Sequence, residues 1–260
     1  MKNKINLPIG FNIDLAIELV ELSKQAYKQY YAYTDGKIWA TPKGYEKHIV
    51  FEAMFGIKKA PLGFIVSKGD DIYISWRGTA DIEDLIQALR FLQVKASYLP
   101  GNPKVESGFH SVYVDKKDGD SPQEAVLNFL KEREVKGKIY VTGHSLGAAL
   151  AILNILDIAE NTKHRNLVLY SFAGPLVGSP EYATLYNNNK SITQSWRVVN
   201  TYDEISKIPF KDIEIPYKHV DKEIDIVFGG LFPWEWEDKH LLGNYIKQLY
   251  KLRDHINNSQ

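Results

Sequence analysis

The sequence predicts an α/β fold: a central, mostly parallel twisted sheet that begins with antiparallel strands and carries helices on both faces. Three observations predict it. Apolar, β-branched runs alternate with helical or loop segments through the second half of the chain, the order that parallel strands with crossovers require. Two earlier runs are joined by Lys68-Gly69-Asp70-Asp71, a hairpin signal, so the sheet starts antiparallel. Lys138 to Leu150 reads as a strand that climbs into Gly143-His144-Ser145-Leu146-Gly147 and passes at once into a small-residue helix pattern.

In order, Ile13, Ile17, Val20, Ala26 and Tyr27 recur at helical spacing, with Asn12 as N-cap, and predict a helix from Ile13 to Tyr31. Ile49-Val50-Phe51, Leu62 to Ser67 and Ile72 to Trp76 read as strands. Ala80 to Phe91 follows as a short helix, and Pro100 to Pro103 as a loop. Ser121-Pro122-Gln123-Glu124 starts a helix that runs to about Glu134, with the serine as cap and the proline in the first position. Beyond the Ser145 turn, Leu167 to Phe172 and Trp196 to Asn200 read as buried strands, Tyr217 to Val227 as a last strand pair and Lys239 to His255 as a closing helix. No repeat or low-complexity linker divides the chain, so residues 1–260 are expected to form one domain.

Composition narrows the function. Lys plus Arg and Asp plus Glu stand at 32 each, so no net field favours nucleic acid or acidic headgroups. There is no cysteine, which excludes disulfides, thiolate metal sites and a cysteine nucleophile. Met1-Lys2-Asn3-Lys4 resembles the basic start of a signal peptide, but Asn6, Pro8, Gly10, Asn12 and Asp14 interrupt the apolar run that should follow. No segment approaches the ~20 apolar residues of a membrane span. The expectation is a chain without an integral membrane segment, cytoplasmic unless it is a mature secreted form.

Gly-x-Ser-x-Gly alone recurs by chance at strand–helix junctions. Here strand, sharp turn and helix follow in the order of a nucleophile elbow. Gly143 and Gly147 remove side chains that would collide at so tight a turn. Ser145 is then presented at the positive end of a helix, where an oxygen that becomes negative in acyl transfer is stabilised. An acid and a base should follow in chain order, each beyond the carboxyl end of a strand. Asp203 lies three residues past the Trp196 to Asn200 strand, with Glu204 beside it as the alternative. Of the later histidines, His219 sits in an apparent strand and suits a hydrogen-bonded structural position, while His255 reads as solvated near the end of the last helix. His240 falls between an aromatic loop and that helix and is the base of choice. His144 flanks the serine, and its side chain is expected to point away from the scissile bond. Oxyanion donors are expected from the amide of Leu146 and from Thr79, in the loop after an earlier strand.

Arg77-Gly78-Thr79, Gly143 to Gly147, Phe172-Ala173-Gly174-Pro175, and Arg197-Val198-Val199-Asn200 with Asp203 together resemble the class 3, fungal-lipase-like branch of the α/β-hydrolase fold. His240 with Tyr245 resembles that family's final, histidine-containing helix. The motifs run in the family's order from about residue 60 to 250. The resemblance implies a Ser145, Asp203, His240 triad, oxyanion donors at Thr79 and Leu146, and ester hydrolysis with no cofactor and no metal. It assigns His219 to structure. Glu106, Leu176, Ser206 and Asp221 depart from the usual histidine, arginine, proline and glycine, which puts local loops and substrate preference in question without touching a catalytic atom.

Ile82, Leu85, Ile86 and Leu89 are spaced i, i+3, i+4, i+7 after Thr79. They describe either a surface helix packed by its apolar face or, by the resemblance, a helical lid over the serine. Exposing all four would cost up to roughly 6–12 kcal/mol, so such a lid opens where an apolar surface receives it. Phe232 and Trp234, in the aromatic stretch before His240, are a second candidate for acyl or lipid contact. The expected partner is therefore a hydrophobic ester substrate, with transient contact at a lipid–water interface and no nucleic acid. A triacylglycerol lipase or carboxylesterase leads; a feruloyl-type or short-chain esterase is the near alternative. A serine peptidase and a catalytically silent lipid-binding module are the distant ones.

Overall fold

The computed structural model describes residues 7–55, 58–79, 92–116, 119–209, 215–220, 222–228 and 236–258. The proposed lid residues Ile82, Leu85, Ile86 and Leu89, together with Phe232, Trp234 and Asp221, lie outside them.

Helix α1 (Ile13–Thr34) opens the fold, with the Asn12 side chain accepting from the Leu15 amide at 3.0 Å. The strands β1 (Glu46–Phe55), β2 (Lys58–Lys68) and β3 (Asp71–Trp76) form an antiparallel meander. Strands β4 (Gln93–Lys95) and β5 (Lys104–Glu106) pair as a small separate ribbon, followed by helices α2 (Ser107–Val114) and α3 (Pro122–Lys131). Then come β6 (Ile139–His144), α4 (Leu146–Asn161), β7 (Leu167–Phe172), α5 (Pro180–Asn188) and β8 (Ile192–Asn200). A 3₁₀ turn over Glu204–Lys207, strand β9 (Lys222–Ile226) and helices α6 (Trp236–His240) and α7 (Leu242–Asn257) complete it. The main sheet runs β1-β2-β3-β6-β7-β8-β9, and every pairing from β3 to β9 is parallel.

Two apolar cores flank this sheet because side chains alternate across it. Ile72, Ile74, Trp76, Ile139 and Val141 face a core built with α2, α3, α4 and α5. Tyr73, Tyr140, Val168, Tyr170 and Phe172 face the opposite core, built with α1 and α7. Helix α4 is buried on all sides from Leu146 to Ala159, which explains why its sequence lacks a polar stripe. One buried polar chain crosses that core: the Trp76 indole donates to Asn154 Oδ1 at 3.3 Å, Asn154 Nδ2 to the Tyr113 hydroxyl at 3.1 Å, and Tyr113 to Asp157 at 2.8 Å. It leaves the strand end before Arg77 anchored from beneath.

Several boundaries differ from expectation. The Ser121-capped helix stops at Lys131, because the apolar period ends at Leu130. Strand β8 begins at Ile192 rather than Trp196, because Thr193, Gln194 and Ser195 extend the ladder as polar residues and leave Ile192 as an isolated apolar position. The expected strand pair over 217–227 is a single strand, β9. Lys218 makes only an isolated bridge to Gly178, and the His219 ring turns to the Ser206 carbonyl at 2.9 Å. The closing helix is two helices, broken where Leu241 turns extended (φ −58, ψ 125). Helix α2 and the β4–β5 ribbon are too short to leave a legible period. Among the described residues, no helix is long and apolar enough to cross a membrane.

Candidate active site

Ser145 sits between β6 and α4 at φ 60, ψ −126, a strained conformation for a residue with a side chain. The turn closes only because its glycines are bare. A Cβ on Gly143 would strike the Gly147 carbonyl, and one on Gly147 would strike that of Trp76. The serine amide donates to the Phe172 carbonyl at 3.0 Å, which ties the elbow to the end of β7. Leu146 begins α4, so its amide is one of the first four that a helix leaves without an internal acceptor.

Asp203 follows β8 and caps the 3₁₀ turn, its Oδ1 accepting from the Ile205 amide at 3.0 Å. Its Oδ2 accepts from His240 Nδ1 at 2.8 Å and from the Tyr245 hydroxyl at 2.8 Å. His240 Nε2 meets Ser145 Oγ at 2.8 Å. A carboxylate only accepts, so Nδ1 carries the proton and Nε2 turns its lone pair to the serine. All three side chains are buried, Ser145 at 2% exposure and Asp203 and His240 at 1% each. These are the three residues that the sequence singled out, and the fold brings them into one hydrogen-bonded line.

The surrounding polar groups hold that line in place. Tyr245, on α7, also accepts from the Asn200 amide at 2.8 Å, joining β8 to the acid. Burial raises its phenol well above the ordinary range, so it remains a donor to Asp203. Asn200 Nδ2 binds the carbonyls of Phe228 at 3.2 Å and Lys239 at 3.1 Å, tying the end of β8 to the chain before α6 and to the last turn of α6. Ser206, one of the departures from the family pattern, donates to the carbonyl of Asp203 itself at 2.7 Å, so this departure does reach the acid's backbone. Glu106, another, is fully buried and caps α2 by accepting from the Phe109 amide at 2.8 Å.

His144 stands closer to the site than its expected orientation allowed. Its Nε2 lies 2.8 Å from the His240 carbonyl, so that nitrogen must carry the proton, and Nδ1 accepts from the Tyr27 hydroxyl at 3.0 Å. Burial, together with the neighbouring His240, holds His144 well below the usual histidine range and therefore neutral. With its Nε2 hydrogen committed to a carbonyl and Nδ1 to Tyr27, it braces His240 and takes no proton from Ser145. Its ring centroid is 4.8 Å from that of His240. Neither Tyr27 nor this brace was identified from sequence; the only signal was the position of Tyr27 on the buried stripe of α1.

Thr79 reaches the site from the loop after β3. Arg77 holds that loop, donating to the carbonyls of Pro61 at 2.9 Å and Gly78 at 2.8 Å while its guanidinium lies 4.1 Å from the centre of the Tyr30 ring. Thr79, His144, Ser145 and His240 line one pocket of ≈ 250 Å³ with Lys24, Tyr27 and Tyr31 of α1 and with Leu241, Leu242, Gly243 and Ile246. Among the described residues, no group of three or more His, Cys, Asp or Glu could hold a metal ion. Arranged this way, the site can deprotonate the serine hydroxyl, store the proton on an imidazole and stabilise the resulting positive charge.

Comparison with known proteins bears on the family and the fold. Phospholipase A1-Igamma3, chloroplastic, of Arabidopsis thaliana is 31% identical over 193 residues, covering 64% of this chain and 35% of that protein. A lipase of Rhizomucor miehei is 36% identical over 154 residues, covering 56% of this chain and 40% of its own. The chain thus spans about a third to two fifths of the length of these curated relatives. A solved Rhizomucor miehei triacylglyceride lipase superposes with a TM-score of 0.65 at 26% identity, over 82% of this chain and 80% of that one. The structure titled as a serine protease triad forming the catalytic centre of a triacylglycerol lipase gives a TM-score of 0.68 at 24% identity, over 85% and 82%. Such likeness establishes the α/β-hydrolase fold. The family described as Lipase (class 3) matches residues 73–213, more than half of the sequence, and the chain belongs to that family.

Proposed function

We propose that the protein is a serine-dependent carboxylic ester hydrolase, acting on hydrophobic acyl esters through an acyl-enzyme as a lipase or esterase. The observation that carries this reading is the buried line from Ser145 through His240 to Asp203, both links at 2.8 Å. His240 Nε2 takes the serine proton as Oγ attacks the ester carbonyl, and Asp203 stabilises the imidazolium. The oxyanion that forms is received by the Leu146 amide, at the positive end of α4, and by Thr79. His240 then protonates the leaving alcohol. Water, deprotonated by the same imidazole, releases the acid and restores the serine. The apolar side chains Leu241, Leu242 and Ile246 suit a hydrocarbon substituent, and the family relationship supports a lipid ester.

The test is labelling by a fluorophosphonate probe, with emulsified triacylglycerol and soluble p-nitrophenyl esters of rising chain length as substrates. Wild type should be labelled, and Ser145→Ala should lose label and on the order of 10⁶-fold in kcat. A folded wild-type protein that resists the probe would sink the proposal. Activity confined to short or aromatic esters would leave a serine esterase but remove the lipase.

A further inference from the structure

The pocket over Ser145 has two unlike walls. Leu241, Leu242 and Ile246 make one side hydrocarbon. The other is a single stripe of α1, Lys24, Tyr27 and Tyr31, spaced i, i+3, i+7 and therefore stacked along one face of the helix. Among the described residues lining the pocket, Lys24 is the only Lys, Arg, Asp or Glu. Its ion pair is with Glu21, 3.6 Å away on the same helix, and the two side chains are 43% and 35% exposed. An i, i+3 pair so exposed holds its partners weakly and yields to a ligand charge that comes with a less hydrated setting. Tyr27 is committed to His144, leaving the ammonium as the charged group this wall can turn toward a bound molecule.

We propose that Lys24 is an anion-recognition residue of this pocket, which selects amphiphiles bearing a phosphate or carboxylate near the reacting ester. A hydrocarbon wall facing a cationic one sorts such a molecule by its own two ends: the chain lies against Leu241, Leu242 and Ile246, and the anion lies toward α1. This rests on the ester-hydrolase reading of the same pocket and adds the class of ester it prefers. Helix α1 lies before the residues 73–213 that match the family.

Direct binding separates the two claims. Octyl phosphate, octanoate and 1-octanol, each kept below its micelle concentration, are titrated calorimetrically into wild type, Lys24→Ala, Lys24→Glu and Lys24→Arg. Wild type should bind at least one anion more tightly than the alcohol. Lys24→Ala should weaken that anion about three- to tenfold, in the range of a partly screened charge pair, Lys24→Glu should weaken it further, and Lys24→Arg should keep it. A Lys24-dependent gain confined to octyl phosphate assigns a phosphate-bearing ester, and one confined to octanoate assigns a carboxylate-bearing one. An anion preference absent from wild type, or unchanged in Lys24→Glu, overturns the proposal. Anion preference that depends on Lys24 in a protein that resists the fluorophosphonate probe would retain the site and remove the hydrolase reading.

Discussion

Tyr245 joins two things that the triad needs in register. Its hydroxyl donates to the same Asp203 oxygen that receives His240, and it accepts from the Asn200 amide at the end of β8. Tyr245→Phe keeps the ring and removes both bonds, leaving a buried backbone N–H without its acceptor. The expected loss is about 1–3 kcal/mol in urea unfolding, with a drop in kcat larger than any change in KM. A variant as stable and as fast as wild type would show that Asp203 is held by His240 and Ile205 alone. Ser145, Asp203 and His240 were readable from sequence because motif, chain order and loop position each restrict the choice. Tyr27 and His144 were not, since a phenol on a helix and an imidazole beside a serine find each other only after α1 docks on the sheet.

Among the elements, α4 presses on the end of β3, with Gly147 against the Trp76 carbonyl. Neither backbone can retreat, because α4 is buried throughout and the Trp76 indole is held by Asn154. Gly147→Ala should therefore cost ~2–3 kcal/mol and displace the elbow, lowering activity even in the fraction that folds. Gly243, near the start of α7, has no heavy atom of the described residues within 4 Å of an added Cβ, and Gly243→Ala should unfold at a urea midpoint equal to or above that of wild type. Equal losses from the two substitutions would contradict the close-approach argument. Helix α1, strand β7 and the start of α4 were legible to within a few residues, because an apolar period, a buried β-branched run and the glycine turn mark them. The break at Leu241 was not: it contains no proline, Gly243 lies two residues past it, and at the break His240 is held on both its ring and its carbonyl.

For the molecule as a whole, the buried His144 and the partly buried His219 contribute to the response to acid. Burial, then the charge of Arg197, lowers His219 to about 3 against the bond it makes to the Ser206 carbonyl, and His144 is also held well below its ordinary value. In the unfolded chain both protonate near ~6.5. Below that pH the unfolded state binds protons that the folded state refuses, so their contribution to stability is present above ~6.5 and is lost as pH falls toward 3. The urea midpoint should decline steadily from pH 6.5 to 4, each histidine contributing up to about 1.4 kcal/mol per pH unit. His219→Gln should flatten that decline by about one proton. An unchanged slope would exclude His219 as a source of acid sensitivity.

On the proposed reading, the brace running from Tyr27 to His144 to the His240 carbonyl makes hydrolysis a coincidence detector. Residues 13–34 and 236–257 come from opposite ends of the chain, and the brace closes only when both have docked beside the strand that leads into the serine. On that reading, a chain in which either segment is undocked holds Ser145 with its base unbraced and turns over esters more slowly. In refolding from urea, ester turnover should return after the helical circular-dichroism signal, and Tyr27→Phe should widen that lag; turnover that recovers in step with helix content would show that the two segments dock with the sheet in a single event.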